Sequence, residues 1–254
     1  MRSPLRLRAL ATALVVPFSA ACSALGDHAR LEPWSKGFDA FTSAPAHWVP
    51  AAACTVATPL ILIDDAGTSS ESVEDQFFNS NTKYGDELAI GLGAAPVLWG
   101  AFDGLAEGDT AFLEISSEAL LLTMATSYTL KSVIHRERPD NSSSDSFPSA
   151  HTSFSFVGAT LLARRWEEEH DGSWLGYLLY LPASYVGVSR TEGARHYLSD
   201  VTFGAALGIF WAHLVYDAHT VEGGLAPRTE PRAVWRTGPV FDERGAGVGV
   251  SLSF

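Results

Sequence analysis

Three short clusters carry the residue types that can hold and cleave a phosphate ester. The first runs from Lys131 to Pro139 as KSVIHRERP, with Arg138 before the proline; the second is Pro148-Ser149-Ala150-His151; the third runs from Ser189-Arg190 to His196 and Asp200. Lys131 and Arg138 lie seven apart, which on a helix is about two turns, so both cations are predicted to project from one side where a long helix stops before Pro139. Phe147-Pro148-Ser149 predicts a helix start, with the proline in the first turn and unpaired amides facing outward as an anion site. His196 and Asp200, four apart, are predicted to share a helix face, where the carboxylate can accept an imidazole N–H and fix the tautomer. A histidine nucleophile needs that support. Each residue also has a plainer reading: His196 as a structural histidine, Lys131 and Arg138 as a solvated helix end, Ser149 as a helix cap only. His135, Arg136 and Arg195 fall at variable positions and read as structural or rim residues, Arg195 being the one nearest to touching a substrate.

In order and spacing these clusters resemble the type-2 phosphatidic-acid phosphatase superfamily, which includes bacterial non-specific acid phosphatases and vanadium haloperoxidases. The family pattern is Lys, six residues, Arg-Pro; then Pro-Ser-Gly-His; then Ser-Arg, five residues, His, three residues, Asp. Ala150 stands where the family has glycine. The resemblance implies His196 as nucleophile, Asp200 as its orienting partner and His151 as general acid. It also implies that Lys131, Arg138, Ser149, Ala150 (through its backbone) and Arg190 hold the phosphoryl oxygens, with no metal and no cofactor. Preorganised cations suit a transition state that spreads charge over equatorial oxygens, and arginine adds bidentate geometry. His28, His47, His170, His213 and His219 form no metal-ligand pattern.

The elements that must position these groups read as helices: Val49 to Ile63, Asp86 to Leu105, Thr110 to His135, Pro148 to Glu168, Ser173 to Val188 and Tyr197 to Ala218. The expected fold is all-α, a bundle of about six core helices. Residues 1–24 read as a signal peptide, 25–47 as a tether, 48–220 as the phosphatase-like helical domain and 221–254 as a tail, with a β-hairpin expected there from the alternation of Val248, Val250, Leu252 and Phe254. Apolar runs broken by Asp64, Asp65, Asp103, Glu114 and Glu118 favour a soluble bundle; Ala89 to Phe102 and Leu175 to Val188 keep a membrane-resident version open.

At 254 residues, 46% hydrophobic and 18% charged, the chain is an ordered globular protein, and its formal charge of −12 excludes a nucleic-acid surface, which needs many cations facing phosphates. Arg2, Arg6 and Arg8 before the apolar run Ala9 to Phe18, and then Ser19, Ala20 and Ala21, predict export. Cys22 follows like the acylated cysteine of a bacterial lipoprotein, with Ser19 where that site usually has leucine; cleavage after Ala21 or Ala24 is the alternative. Cys54 is left without an intrachain partner and reads as a small buried residue. The functional expectation is a metal-independent phosphatase of the periplasm or cell envelope, acting on a phosphorylated small molecule or a lipid headgroup through a phosphohistidine. A vanadium-dependent haloperoxidase and a non-catalytic envelope protein are the alternatives; the loop Asp140 to Ser146 and residues Glu192 to Arg195 carry no substrate code.

Overall fold

Helix α7, Leu198–Thr220, is the axis around which the chain is arranged. The computed structural model describes residues 31–65, 84–170, 173–220, 234–242 and 245–253, with side chains over 33–62, 84–170 and 173–220. Before α7 come α1 (Leu31–Ser43), α2 (Pro45–Asp65), α3 (Gly85–Ala106), α4 (Ala111–Ile134), α5 (Ala150–Glu169) and α6 (Tyr180–Glu192), the last entered through a 3-10 turn over Trp174–Leu179. The described chain to Thr220 is thus all-helical.

Helices α1, α2, α4 and α5 all pack on α7, and α3 lies against α4, α5 and α6. Close approach follows from small residues: a Cβ on Gly208 would fall 2.4 Å from the Ser153 carbonyl, and one on Gly204 would fall 2.7 Å from that of Ser149. The first turns of α5 and α7 are therefore side by side, which brings the second and third clusters together. Phe112, Ile115, Leu161, Leu207, Trp211 and Val215 fill the space between α4, α5 and α7, each large side chain contributing about 1.5–3 kcal/mol on burial.

The segment read as a tether over 25–47 is, from Leu31 onward, α1 and the start of α2. Phe41 is buried in the core and Trp34 packs against it, an anchoring that the irregular spacing of Pro33, Gly37 and Pro45 conceals. Cys54 is half-buried, not buried. The signal peptide, Cys22 and the linker after Thr220 lie outside the described residues. Val234–Asp242 and Gly245–Ser253 pair as an antiparallel ribbon, β1 with β2.

The interruption of the apolar runs by charge takes a different form in the structure. Three described helices are long and apolar enough to cross a membrane: Pro45–Leu62, Gly85–Ala106 and Leu198–Thr220, of which 11%, 28% and 72% respectively is buried inside the protein. Asp64 and Asp65 stand at the end of α2, and Asp103 lies in the last turn of α3, paired with Arg165 at 3.4 Å. Charges at helix ends interrupt nothing. The sides of α2 and α3 present Val56, Leu60, Ile90, Leu98, Phe102 and Leu105 outward.

Candidate active site

Lys131 lies in the last turn of α4, but that helix stops at Ile134 and Arg138 is not on it. His135 takes the left-handed conformation (φ 48°, ψ 47°) and its N–H caps the Lys131 carbonyl at 3.2 Å. The two-turn helical spacing expected for Lys131 and Arg138 is thus corrected: the chain reverses after His135, and the two cations meet through the following loop. Lys131 Nζ donates to the backbone carbonyl of Asp145, while Arg138 grips the Asp145 carboxylate with Nε at 2.9 Å and Nη2 at 3.2 Å. Burial pushes the Lys131 pKa down, with Asp145 opposing. Asp145 is held below the usual carboxylate range by the Ser143 hydroxyl and by Arg138.

Helix α5 begins at Ala150, so Pro148 precedes the cap and does not occupy the first turn. Ser149 is the N-cap, extended and fully buried, but its hydroxyl makes no capping bond. Instead it accepts from Thr152 Oγ1 at 3.0 Å, and the Ser149 N–H donates to the Asp200 carbonyl at 3.0 Å. Ala150 is an ordinary helical residue, so its methyl group leaves the first-turn amides directed out of the helix.

His196 precedes α7, and the chain reaches it through a turn in which Ala194 is left-handed (φ 50°) and the Arg190 carbonyl receives the N–H groups of Arg195 and His196 at 3.0 and 3.2 Å. The ring is buried. Its Nδ1 bonds to the Ser146 carbonyl at 2.7 Å, whereas the Asp200 carboxylate stands 3.8 Å away. The direct imidazole-to-carboxylate bond expected from the i, i+4 spacing is therefore replaced by a relay. The Ser146 hydroxyl donates to Asp200 at 2.5 Å, Tyr197 N–H donates at 2.9 Å, and Arg136 Nη1 donates at 2.6 Å to the other oxygen. Arg136 also lies 3.9 Å over the Tyr197 ring and bonds to Ser199. Burial pushes the His196 pKa down, with Asp200 as the main opposing influence and Lys131 adding to the depression.

Arg190 ends α6, buried, and donates to Asp86 at 2.5 Å. The same oxygen of Asp86 lies 3.1 Å from His151 Nε2, in the first turn of α5. Burial is the main cause of a lowered pKa at His151, followed by Arg190; Asp86 opposes both. Arg195 stays at the rim, 3.6 Å from Asp140. Beside His151 a cavity of about 200 Å³, lined by Ala89, Ile90, Met124, Tyr128 and Phe154, runs between α3, α4 and α5. Among the described residues no three His, Cys, Asp or Glu gather to hold a metal ion.

Lys131, Arg138, Ser149, Ala150, His151, Arg190, His196 and Asp200, singled out from the sequence, all stand at this one pole of the bundle. Four others there were not: Asp86, Asp145, Ser146, and Arg136 in its bond to Asp200. Arg136 lies inside a motif; Asp145 and Ser146 are in a loop whose sequence is merely polar, and Asp86 comes from a helix with no motif.

Residues 115–223, a stretch that contains all three clusters, match the model of the PAP2 superfamily. The lipid A 1-phosphatase of Porphyromonas gingivalis is 41% identical over 81 residues, covering 32% of this chain and 18% of that protein. A Schizosaccharomyces pombe protein named probable diacylglycerol pyrophosphate phosphatase 1 is 38% identical over 80 residues, 28% of this chain and 29% of that one. These matches span less than a third of either relative. No solved structure matches.

Proposed function

We propose that the chain hydrolyses lipid phosphates, as monoesters or pyrophosphates, through a phosphohistidine on His196 and without a metal. The observation that carries this reading is the meeting of the three clusters at one pole, where Ser146 orients a buried, neutral imidazole next to Lys131, Arg138, Arg190 and His151. With Nδ1–H given to the Ser146 carbonyl, Nε2 carries the lone pair that attacks phosphorus. Protonated His151 gives its proton to the leaving oxygen as the P–O bond breaks. Water then attacks the phosphohistidine, the P–N bond breaks, and His151 takes the water's proton. Lys131, Arg138 and Arg190 supply the positive field for the equatorial oxygens, aided by Ser149 and the amides of Ala150 and its neighbour.

A lipid substrate is favoured by the names of the two relatives, both lipid phosphatases, and by the exposed apolar sides of α2 and α3, which suit a bilayer. The cavity beside His151 would take the apolar part of the leaving group next to the phosphate. Localisation in the cell envelope and an acylated Cys22 belong to the same reading. The test is phosphate release from a lipid phosphate, a lipid pyrophosphate and a soluble monoester, in detergent micelles, with and without chelator. Turnover should survive chelation, be blocked by vanadate, and fall on the alkaline side, because burial and Arg190 lower the pKa of His151 and it loses its proton early. Activity lost in chelator and restored by a divalent metal would overturn the mechanism.

A further inference from the structure

Asp86 belongs to none of the three clusters, yet it is the residue through which Arg190 and His151 are joined. It is the second residue of α3, and Gly85 before it makes the reach possible. A Cβ on Gly85 would fall 2.1 Å from Ser189 Oγ and 2.5 Å from Arg190 Nη2, so the first turn of α3 is pressed directly onto the Ser-Arg pair. One carboxylate oxygen then spans 2.5 Å to Arg190 Nη1 and 3.1 Å to His151 Nε2.

We propose that Asp86 is a positioning residue: it holds the Nε2 proton of His151, so that Nδ1 is the nitrogen that faces the substrate and exchanges protons with it. The proposal rests on the phosphatase reading. In the first step the Nδ1 proton passes to the leaving oxygen as the P–O bond breaks and the bond from His196 to phosphorus forms. Nε2 keeps its proton because Asp86 accepts it, leaving Nδ1 bare. In the second step Nδ1 takes a proton from the water whose oxygen joins phosphorus as the P–N bond breaks, and His151 is restored. An imidazole without that anchor can hold its remaining proton on either nitrogen.

The surroundings of His151 assign this task to Asp86. Facing the ring are Arg190 from α6, His196 from the connection into α7, and Arg138 from the connection after α4, all of which oppose a charge on it; Asp86 favours one. Asp86 and His151 are both partly open to solvent, so the effect is tempered by screening.

The experiment is a pair of measurements on Asp86→Asn and Asp86→Glu in the full chain: pH profiles of kcat and KM on an alkyl phosphate and on p-nitrophenyl phosphate, and an NMR titration of His151. Asp86→Asn should lower kcat on the alkyl ester roughly tenfold or more at neutral pH, less on p-nitrophenyl phosphate, whose leaving group needs little protonation. Its alkaline limb and the His151 titration should both move to lower pH, and Asp86→Glu should recover part of each. An unmoved limb and unmoved titration, with equal losses on both esters, would overturn the proposal and leave Asp86 a structural partner of Arg190. A wild-type chain that cleaves no phosphate ester would instead sink the phosphatase reading, while the titration still decides whether Asp86 governs His151.

Discussion

The bundle carries two clusters of histidine, arginine and aspartate on the same pair of helices, and they are built in opposite ways. At the pole formed by the starts of α5 and α7 stand His151, His196, Arg190, Asp86 and Asp200. Further along, Arg164 of α5, His213 and Asp217 of α7 and His47 of α2 form a second group. Thirteen residues of α5 separate His151 from Arg164, about 20 Å at helical rise. In the second group Arg164 Nη2 donates to Asp217 at 2.9 Å, His47 Nδ1 meets the other Asp217 oxygen at 2.9 Å, and the His47 and His213 rings stack 4.6 Å apart. Arg164 also lies 4.6 Å over the Tyr216 ring. His213 is fully buried and Arg164 and Asp217 nearly so. His47 lies in the first turn of α2 and Asp217 in the last turn of α7, yet the group is closed: Arg164, His213 and Asp217 are buried and are held by ion pairs and ring stacking with one another and with His47. The first group is assembled from helix ends and connections, which leave His151 and Asp86 partly open beside a cavity. Residue types, and even helix ends, are thus shared between the two; what separates them is that His151 and Asp86 stay open beside a cavity whereas Arg164 and Asp217 are closed off against each other.

The sharpest way to break that comparison is to remove one member of each group. His196→Ala should abolish turnover, a loss of several orders of magnitude, since nucleophile and acid act as a unit. Acid-quenched labelling with a phosphate-labelled substrate, followed by mapping of the base-stable phosphoramidate, should find label on His196 in the wild type and none in the variant; label retained in the variant would remove His196 from its role. Asp217→Ala should act on stability instead. It strands the buried Arg164 charge and should cost about 3–5 kcal/mol, read as a lowered unfolding midpoint in detergent, with the pH profile of the folded fraction unchanged. A shifted profile would mean that the far group communicates with the reaction. The smallest effect is expected from Ser146→Ala, which keeps the carbonyl that holds His196 but deletes the hydroxyl bond to Asp200. One such bond is worth about 0.5–1.5 kcal/mol, or 1.5–3 kcal/mol where, as here, its partner is charged, so kcat should fall by roughly ten- to a hundredfold with KM kept. A wild-type kcat would show that Asp200 reaches His196 without Ser146.

Much of the reactive pole was legible because the three clusters keep fixed spacing in sequence, and the small residues of α5 and α7 that bring them together lie in the same stretch. The details of contact were not. The spacing of Lys131 and Arg138 suggests one helical face, but a left-handed His135 ends the helix, and only the loop reunites the cations at Asp145. The four-residue step from His196 to Asp200 suggests a direct bond, but His196 lies outside α7 and its proton goes to a backbone carbonyl, an acceptor that no sequence pattern marks. Asp86 is beyond such reading altogether, since its partners are 65 and 104 positions away. Of the seven α-helices among the described residues, six were expected from periodicity. Helix α1 was hidden by its proline and glycine, and the apolar side of α2 was discounted because Asp64 and Asp65, at its end, were counted as interruptions, whereas Ala89 to Phe102 of α3 was already read as apolar enough to reside in a membrane.

The loop between Pro139 and Pro148 has a further consequence. Its backbone ties itself off, with Arg138 N–H on the Ser143 carbonyl at 3.0 Å, Asn141 N–H on that of Arg138 at 3.0 Å and Ser146 N–H on that of Arg136 at 2.9 Å. Residues Asn141 to Ser144 are exposed, whereas Ser146 to Ser149 are buried. The tip is therefore separable from its base: a grafted peptide or a fluorophore at Ser142 would sit four positions from the histidine's carbonyl partner without loosening it, making this loop a natural handle for engineering the protein or for watching its pocket fill.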